Sequence, residues 1–293
     1  MKDWNIVPYT LEKERRKMMI VTDSTQPTQK IHIVEDGHVT SPKGFTAGGV
    51  HTGLRKAALD FGWIHSVVPA TAAGVYTLNS FQAAPLKLTK KHVNTAKKIQ
   101  TIVVNSGNAN SCTGEDGIKK AQTTAELVAK EKGIEEHLVA VASTGIIGVP
   151  LPFEPIKKGI QYLNDPLCQN VTDFERAILT TDIETKQIAV EFEIDGKHIT
   201  IGGAAKGSGM IHPNMATMLG FITTDAVVDS KSLEQALKAT TDKTFNMITV
   251  DGDSSTNDMV LALANGTQGN TLLTQDHPQW AVFLEGFQYV CKI

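Results

Sequence analysis

The 293-residue sequence contains few cysteines and carries little net charge. Cys112, Cys168 and Cys291 are far apart and form no CxxC pair, which excludes a disulfide framework and a CxxC metal or redox motif. The sequence has 28 Lys and Arg residues against 31 Asp and Glu residues, and no long basic run indicates binding to nucleic acid. We therefore expect a protein of the reducing cytoplasm whose partners are small molecules or copies of itself.

Long hydrophobic segments are also missing. Residues 66–86 carry no formal charge, but prolines and polar side chains interrupt them, so we expect no membrane-spanning helix. Residues 1–17 mix basic and acidic side chains and fit neither a signal peptide nor a transit peptide. We expect residues 1–30 to be a peripheral or poorly ordered extension. The apolar content of 41% is nevertheless sufficient for a large hydrophobic core.

Hydrophobic periodicity predicts an α+β fold, an α/β sandwich with sheets flanked by helices. Alternation on both sides of Asp195-Gly196 predicts a hairpin with a type I′ turn. A helix is predicted with Ile118, Ala121, Ala125 and Val128 on one face and a stop at Gly133. Other helices are predicted from about Ser230 and over Asp173–Leu179. Short strands are predicted at Ile31–Val34, Thr101–Val104, Leu138–Val141 and Met247–Val250.

Residues 202–219 contain the most informative pattern, a glycine-rich segment that leads to Thr217. If the bond between Ala216 and Thr217 were cut, Thr217 would carry an α-amine with an unperturbed pKa of about 7.7–8.0 beside its own hydroxyl, and this amine could act as a base. The spacing of Lys206 and the glycines does not fit a phosphate loop, so close strand packing or positive φ angles are favoured for the glycines. His212 is a second candidate base, although Pro213 restricts it to extended geometry.

Three polar segments could also contribute to a site. Asn105–Asn110 is interpreted as a structural turn, with ligand binding as the alternative. Ser143–Gly148, which follows the predicted strand Leu138–Val141, is likewise interpreted as a turn, with the alternative that Thr144 and Gly145 present a hydroxyl and a backbone N–H to an oxyanion. The acidic segment Thr249–Asp258 does not match a calcium loop, so a network of Asx turns is favoured and no metal site is predicted.

Together, these segments resemble the glutamate N-acetyltransferase family, also called the ornithine acetyltransferase family, of the cyclic arginine pathway. The resemblance extends from about Ile31 to the end of the chain, and its segments occur in the order found in the family. The segments that carry it are Ser41–Phe45, Val68–Val75, Asn105–Gly117, Ala142–Pro150, Thr180–Asp182, Lys206–Leu219 and Thr249–Gly266.

The resemblance implies an architecture of the N-terminal-nucleophile type and a precursor that cuts itself between Ala216 and Thr217. The α piece would be residues 31–216, and two copies of each piece would form a heterotetramer. Thr217 would take the acetyl group from N2-acetyl-L-ornithine and pass it to L-glutamate, without a cofactor. Some family members also accept acetyl-CoA as the acetyl donor. Roles are implied for Thr144 and Gly145 as the oxyanion hole, and for Thr180, Lys206 and Thr217 as substrate contacts.

The sequence also departs from the family pattern. Members normally continue beyond Leu284–Ile293 with an Asp-Gly-Glu-Gly-Ala-Thr-Lys segment and a C-terminal asparagine and threonine or serine, so we expect residues 217–293 to be the first part of a longer β piece. Two alternatives stay open. One is an amidase-type hydrolase in which water accepts the acyl group, and the other is an inactive fragment whose uncovered apolar surface binds itself or a partner.

Overall fold

The computed structural model describes residues 31–208, 218–247 and 255–293. The strands of this part of the chain are β1 His32–Ile33, β2 Phe45–Val50, β3 Phe61–Tyr76, β4 Lys98–Asn108, β5 Val139–Ile146, β6 Lys186–Ile194, β7 Lys197–Lys206, β8 Leu219–Thr224 and β9 Met259–Ala264. They form one mixed sheet in the order β1-β6-β7-β8-β9-β3-β4-β5, with β2 paired to β3. The extension predicted at residues 1–30 lies outside the described residues.

Helices pack against this sheet. They are α1 Ala84–Ala96, α2 Gly114–Lys132, α3 Phe153–Ile160, α4 Val171–Ala177, α5 Ser230–Lys243 and α6 Trp280–Lys292. Helix α1 contacts β5, α4 contacts β2, α5 contacts β3 and α6 contacts β6. The predicted α+β class is therefore confirmed. Within the described residues, the helices are too short or too polar to cross a membrane.

Strand β9 lies in the middle of the sheet, and its sequence is apolar at every position. Met259, Leu261 and Leu263 belong to one buried cluster, which also contains Leu86 of α1 and Phe174 of α4. The alternate residues Val260, Ala262 and Ala264 belong to a second cluster, which contains side chains of α5 and α6. Because helices cover both faces of the sheet here, β9 needs apolar side chains at every position.

The predicted cleavage position lies between two strands that pair with each other. Lys206 at the end of β7 is opposite Leu219 at the start of β8 in an antiparallel pair. Strand β8 pairs in parallel with β9, and β9 pairs with β3. Residues from both sides of residues 209–217 therefore share one sheet and one core, so the predicted α and β pieces would be parts of a single packed unit.

Two predictions of local structure are confirmed. The hairpin between β6 and β7 turns at Asp195 and Gly196, whose φ angles of 51° and 69° are both positive, as a type I′ turn requires. Helix α5 begins at Ser230 after the capping residue Asp229, which accepts a hydrogen bond from the backbone of Ser232. Its predicted apolar face, Leu233, Ala236, Leu237 and Thr240, is buried.

Other predictions of boundaries and faces were wrong. Strands β4 and β5 continue past the predicted ends Val104 and Val141, because the two parallel strands still pair through Asn105 and Ser143 and through Gly107 and Gly145. Leu138 instead ends a short 3-10 helix.

Helices α2 and α4 and the segment that ends at Met247 also differ from the prediction. Ile118 is 57% exposed, because the buried face of α2 passes through Gly117, Ala121, Thr124 and Val128 at helical spacing and leaves Ile118 beside it. Helix α4 begins and ends two residues before the prediction, because Asn170 caps it by accepting a hydrogen bond from the backbone of Thr172. Met247 ends a 3-10 helix and is not the start of a strand, while residues 248–250 lie outside the described residues.

Candidate active site

Three of the predicted site residues meet at one edge of the sheet. The Nζ atom of Lys206, at the end of β7, lies 2.8 Å from Oγ1 of Thr180 and 3.3 Å from Oγ1 of Thr144. Thr144 comes from β5, and Thr180 comes from the irregular segment that follows α4. The fold thus brings together residues that are distant in the sequence.

The Lys206 ammonium is enclosed by protein, since its side chain is only 3% exposed. Burial lowers the pKa of Lys206 from its usual value, while the nearby carboxyl groups of Asp182 and Asp258 oppose this shift. An ammonium group has three N–H donors, and two of them are directed at the hydroxyls of Thr144 and Thr180. Such a group can offer the remaining donor to a ligand carboxylate.

Thr144 and Gly145 have the geometry needed to present donors. Because Lys206 donates to the hydroxyl oxygen of Thr144, the hydrogen of that hydroxyl is available for another acceptor. Gly145 has a φ of 134°, and a Cβ at this position would lie 2.3 Å from the carbonyl carbon of Gly107. The site therefore requires glycine here, and both residues belong to the end of β5, whereas the sequence pattern placed them in a loop after it.

Asp182 is held in its charged form. The backbone N–H of Gly207 donates to Oδ1 of Asp182 at 2.7 Å, and Lys186 donates to the same oxygen at 3.0 Å. Burial by itself would raise the pKa of Asp182, but these hydrogen bonds and the charges of Lys186 and Lys206 lower it on balance. Asp182 therefore supplies a negative charge, with its Oδ2 atom 3.8 Å from Nζ of Lys206.

Asp258 is a site residue that the sequence reasoning missed. It directly precedes β9, is 1% exposed, and accepts a hydrogen bond of 3.2 Å from the backbone N–H of Met218, the residue after Thr217 in the sequence. Burial raises the pKa of Asp258 to about 8, although hydrogen bonds from Ser255 and Met218 and the charge of Lys206 oppose the shift. Its position just before the apolar run of β9 was the available signal that it is buried.

The polar segments near the site make hydrogen bonds that connect neighbouring strands. The amide of Asn257 donates to the carbonyls of Ala109 at 2.6 Å and Ser143 at 2.8 Å, and so ties the start of β9 to β4 and β5. The predicted structural turn at Asn105–Asn110 was wrong for its first four residues, because Asn105–Asn108 continue β4 beside β5; there the amide of Asn105 donates to the carbonyl of Asn108 at 2.8 Å. In the described part of the acidic segment and elsewhere in the described residues, no group of three His, Cys, Asp or Glu side chains could hold a metal ion.

Gly207, the described glycine of the Lys206–Gly209 segment, has a positive φ of 154°, one of the two predicted reasons for glycine there, and another glycine of the neighbouring β7 allows close packing. A Cβ at Gly202 would lie 2.2 Å from the carbonyl oxygen of His38. The predicted nucleophile Thr217, its neighbour Ala216 and the alternative base His212 lie outside the described residues, as does most of the acidic segment.

A cavity of about 750 Å³ lies near this edge but on the other face of the sheet. It is lined by β6, β7 and β8, by the end of α6 with Val290, and by Lys243 at the end of α5 with Phe245 of the 3-10 helix that follows. Neither Thr144 nor Thr180 lines it, and the Lys206 side chain reaches those two residues on the opposite face. Lys206, Gly207 and Met218 do line the cavity, so it adjoins the candidate active site.

The fold is of the N-terminal-nucleophile hydrolase type. The model superimposes on an L-aminopeptidase D-Ala-esterase/amidase from Ochrobactrum anthropi, described as a variant of the Ntn hydrolase fold, with a TM-score of 0.51. The match covers 95% of this chain and 88% of that chain at 11% identity, so it shows the fold alone.

The chain belongs to the ArgJ family, whose family model matches residues 46–293. It is 58% identical over 266 residues to the arginine biosynthesis bifunctional protein ArgJ of Oceanobacillus iheyensis. This match covers 91% of the chain but 65% of the relative, so the chain spans about 65% of the length of that relative.

Two solved structures of related proteins match part of the chain. The arginine biosynthesis bifunctional protein ArgJ from Bacillus halodurans matches with 46% identity and a TM-score of 0.62, over 64% of this chain and 99% of that chain. The ornithine acetyltransferase from Mycobacterium tuberculosis, solved in complex with ornithine, matches with 32% identity and a TM-score of 0.56, over 63% of this chain and 98% of that chain. These comparisons agree with the family resemblance of the sequence segments.

Proposed function

We propose that this chain is a self-cleaving acetyltransferase of arginine biosynthesis that moves the acetyl group of N2-acetyl-L-ornithine to L-glutamate through Thr217. The observation that carries this proposal is the buried Lys206 ammonium, held against the hydroxyls of Thr144 and Thr180 beside Met218. Membership of the ArgJ family and the ornithine complex of the related acetyltransferase support it.

Cleavage comes first in this proposal. The Thr217 hydroxyl oxygen attacks the carbonyl carbon of Ala216, the peptide C–N bond breaks, and water hydrolyses the resulting ester. Ala216 then ends in a carboxylate, and Thr217 begins the second piece with a free amine. The two solved relatives support this, since nearly their whole chains match only 64% and 63% of this chain, about the share that residues 31–216 represent.

Acetyl transfer then proceeds in two steps. The Thr217 amine takes the hydroxyl proton, the oxygen attacks the acetyl carbonyl carbon, and the C–N bond to ornithine breaks as the proton passes to the departing amine. The amine of glutamate attacks the acetyl-threonine ester, which forms N-acetylglutamate and restores the Thr217 hydroxyl. The hydroxyl of Thr144 and the N–H of Gly145 would stabilise the oxyanion of each step.

Lys206 explains how one site can serve both amino acids. N2-acetylornithine and glutamate share an α-carboxylate, and a buried ammonium binds a carboxylate through a charge-assisted hydrogen bond. Thr180 would hold Lys206 in place and contact the substrate. No cofactor is needed for this chemistry, and acetyl-CoA is a second possible acetyl donor. We further propose a heterotetramer of two α and two β pieces in the cytoplasm.

The intact mass of the purified protein tests the proposal. We expect two pieces, divided between Ala216 and Thr217, and a single uncut chain for Thr217→Ala. Thr271→Ala is the matched control, because this exposed threonine lies in the predicted β piece away from the site. Wild-type protein that stays whole would overturn self-cleavage.

Product analysis separates the proposed transferase from its alternatives. With N2-acetylornithine and glutamate, the transferase forms ornithine and N-acetylglutamate, and no product forms with Thr217→Ala. An amidase-type hydrolase would release acetate regardless of glutamate. An inactive fragment would yield neither product.

A further inference from the structure

A single buried carboxylate organises the loop between β2 and β3. The side chain of Asp60 is fully buried and accepts hydrogen bonds from the backbone and hydroxyl of Thr52 at 2.7 and 2.8 Å. It also accepts the backbone N–H groups of Gly53 at 3.1 Å and Arg55 at 3.0 Å. Because one carboxylate receives four donors, the loop of residues 51–60 has a defined conformation that fixes the backbone of Arg55.

Arg55 connects this loop to the segment that contains Thr180 of the candidate active site. Its Nη1 atom donates to the carbonyl of Leu179 at 2.8 Å, and its Nη2 atom donates to the carbonyl of Thr180 at 3.2 Å. The planar guanidinium group can donate to two adjacent carbonyls at once, whereas a lysine ammonium lacks this planar arrangement of donors. The stem of Arg55 also lies close to Gly107, next to the end of β4.

The segment that Arg55 holds has no regular secondary structure of its own. Helix α4 ends at Ala177, and β6 begins only at Lys186. Within this segment, the Thr180 hydroxyl accepts the 2.8 Å hydrogen bond from Lys206. Within the segment, the backbone N–H of Thr180 makes a long hydrogen bond of 3.5 Å to Asp182, and from outside the segment Arg55 bonds the carbonyl of Thr180 itself.

We infer that Arg55 is a positioning residue, which fixes the backbone of Thr180 so that the Thr180 hydroxyl stays on Lys206, and thereby sets the affinity of the site for its amino-acid ligand. The inference rests on the proposed function. It assigns to the loop of residues 51–60 a part in substrate binding, although this loop supplies no side chain to the ammonium of Lys206 among the described contacts.

The first test measures ornithine binding by calorimetry with the full chain. We expect Arg55→Met to weaken ornithine binding by about tenfold or more, the loss typical of one charged hydrogen bond. Arg55→Lys keeps the positive charge but loses the paired hydrogen bonds of the guanidinium group, so it should also weaken ornithine binding. This variant replaces Arg55→Met in the test if Arg55→Met does not fold. Lys56→Met is the matched control, since Lys56 is the exposed neighbour of Arg55 in the same loop. Unchanged binding in both Arg55 variants would overturn the inference.

A double-mutant cycle shows whether Arg55 acts through Thr180. If it does, adding Arg55→Met to Thr180→Val should weaken ornithine binding by less than about twofold beyond Thr180→Val alone. A general loss of stability would instead add to the effect of Thr180→Val. Fully additive losses would therefore overturn the inference.

Hydrogen exchange provides a readout that needs no catalysis. We expect faster exchange in a peptide covering residues 178–186 of Arg55→Met, with unchanged exchange in β5 and in the Lys56→Met control. Faster exchange throughout the protein would overturn a positioning role.

The experiments distinguish a failure of the proposed function from a failure of the inference about Arg55. Wild-type protein that stays uncut and transfers no acetyl group would overturn the proposed function, whatever the Arg55 variants do. Wild-type protein that cuts itself and transfers acetyl, but binds ornithine as well after Arg55→Met and Arg55→Lys, would overturn only the inference about Arg55.

Discussion

Asp182 and Asp258 are two buried carboxyl groups whose charges act on the same ammonium, yet their pKa values shift in opposite directions. Asp182 receives the N–H of Gly207 at 2.7 Å and the ammonium of Lys186 at 3.0 Å. Oδ1 of Asp258 receives the N–H of Met218 at 3.2 Å, while its Oδ2 has no hydrogen-bond partner among the described residues. Burial raises the pKa of both groups; the Gly207 N–H and the two lysine charges outweigh it at Asp182, whereas the hydrogen bonds from Ser255 and Met218 and the charge of Lys206 do not outweigh it at Asp258.

The difference gives the site a defined charge at neutral pH. Asp182 is ionised and balances Lys206, whereas Asp258 retains its proton and is close to electrically neutral. A protonated carboxyl group can accept the Met218 N–H through one oxygen and donate through the other. The site therefore holds the buried ammonium of Lys206 and the more exposed ammonium of Lys186 against one carboxylate, and a neutral acid lies beside the backbone that follows Thr217.

Replacement of Lys206 should have the largest effect. Lys206→Met removes the donor that orients the Thr144 hydroxyl and the group proposed to bind the α-carboxylate. We expect acetyl transfer to fall by about 10²- to 10³-fold, the loss typical of an oxyanion-hole donor. Steady-state rates with N2-acetylornithine and glutamate measure this. Activity within threefold of the wild type would show that the site does not depend on the buried ammonium.

Asp258→Asn should change how stability depends on pH. The pKa of Asp258 is about 8 in the folded protein, compared with about 3.9 for an unfolded aspartate. Between these values the folded state binds a proton that the unfolded state lacks, so stability falls as pH rises, by up to about 1.4 kcal/mol per pH unit. Asp258→Asn removes this titration and can still accept the Met218 N–H. Urea unfolding from pH 5 to pH 8 should therefore show a growing advantage for the variant.

The matched control for this experiment is Asp182→Asn, for which the sign is reversed. Because the folded-state pKa of Asp182 is lowered, its contribution to stability is present above the unfolded pKa and is lost as pH falls through the folded pKa. We expect the variant to be less stable than wild type at pH 7 by about 1.5–3 kcal/mol, the value of a hydrogen bond to a charged group. Parallel pH curves for both variants would contradict the assignment of opposite charge states.

The sequence predicted one of these carboxyl groups less well than the other for a physical reason. Thr180–Asp182 and Thr249–Gly266 were both part of the family resemblance, but only the first contained a residue with an implied substrate contact, Thr180, and so placed Asp182 near the site. Asp258 lies in an acidic segment in which each carboxylate could equally form an Asx turn, and its burial depends on the pairing of β9 with β3 and β8. Non-local pairing of this kind leaves no periodic signal in a short apolar run.

The same limit applies to the positions of Thr144 and Arg55. The Thr144-Gly145 pair was predicted as a source of oxyanion donors, but its place within β5 follows from the parallel partner β4. Arg55 showed no motif, because its role depends on two backbone carbonyls that are distant in the sequence. Local patterns therefore predicted the hairpin at Asp195-Gly196 and the face of α5, whereas contacts between distant segments required the structure.

Lys186→Met should have the smallest effect, even though Lys186 is closer to Asp182 than Lys206 is. Nζ of Lys186 lies 3.0 Å from Oδ1, and Nζ of Lys206 lies 3.8 Å from Oδ2. The Lys186 side chain is 48% exposed, so water and salt screen its charge, and exposed ion pairs contribute about 0–1 kcal/mol. We expect urea unfolding of Lys186→Met at pH 7 to differ from wild type by less than about 1 kcal/mol, and by less still in 1 M salt. A loss as large as that of Asp182→Asn would mean that the exposed lysine, and not the Gly207 N–H with the buried Lys206, keeps Asp182 ionised.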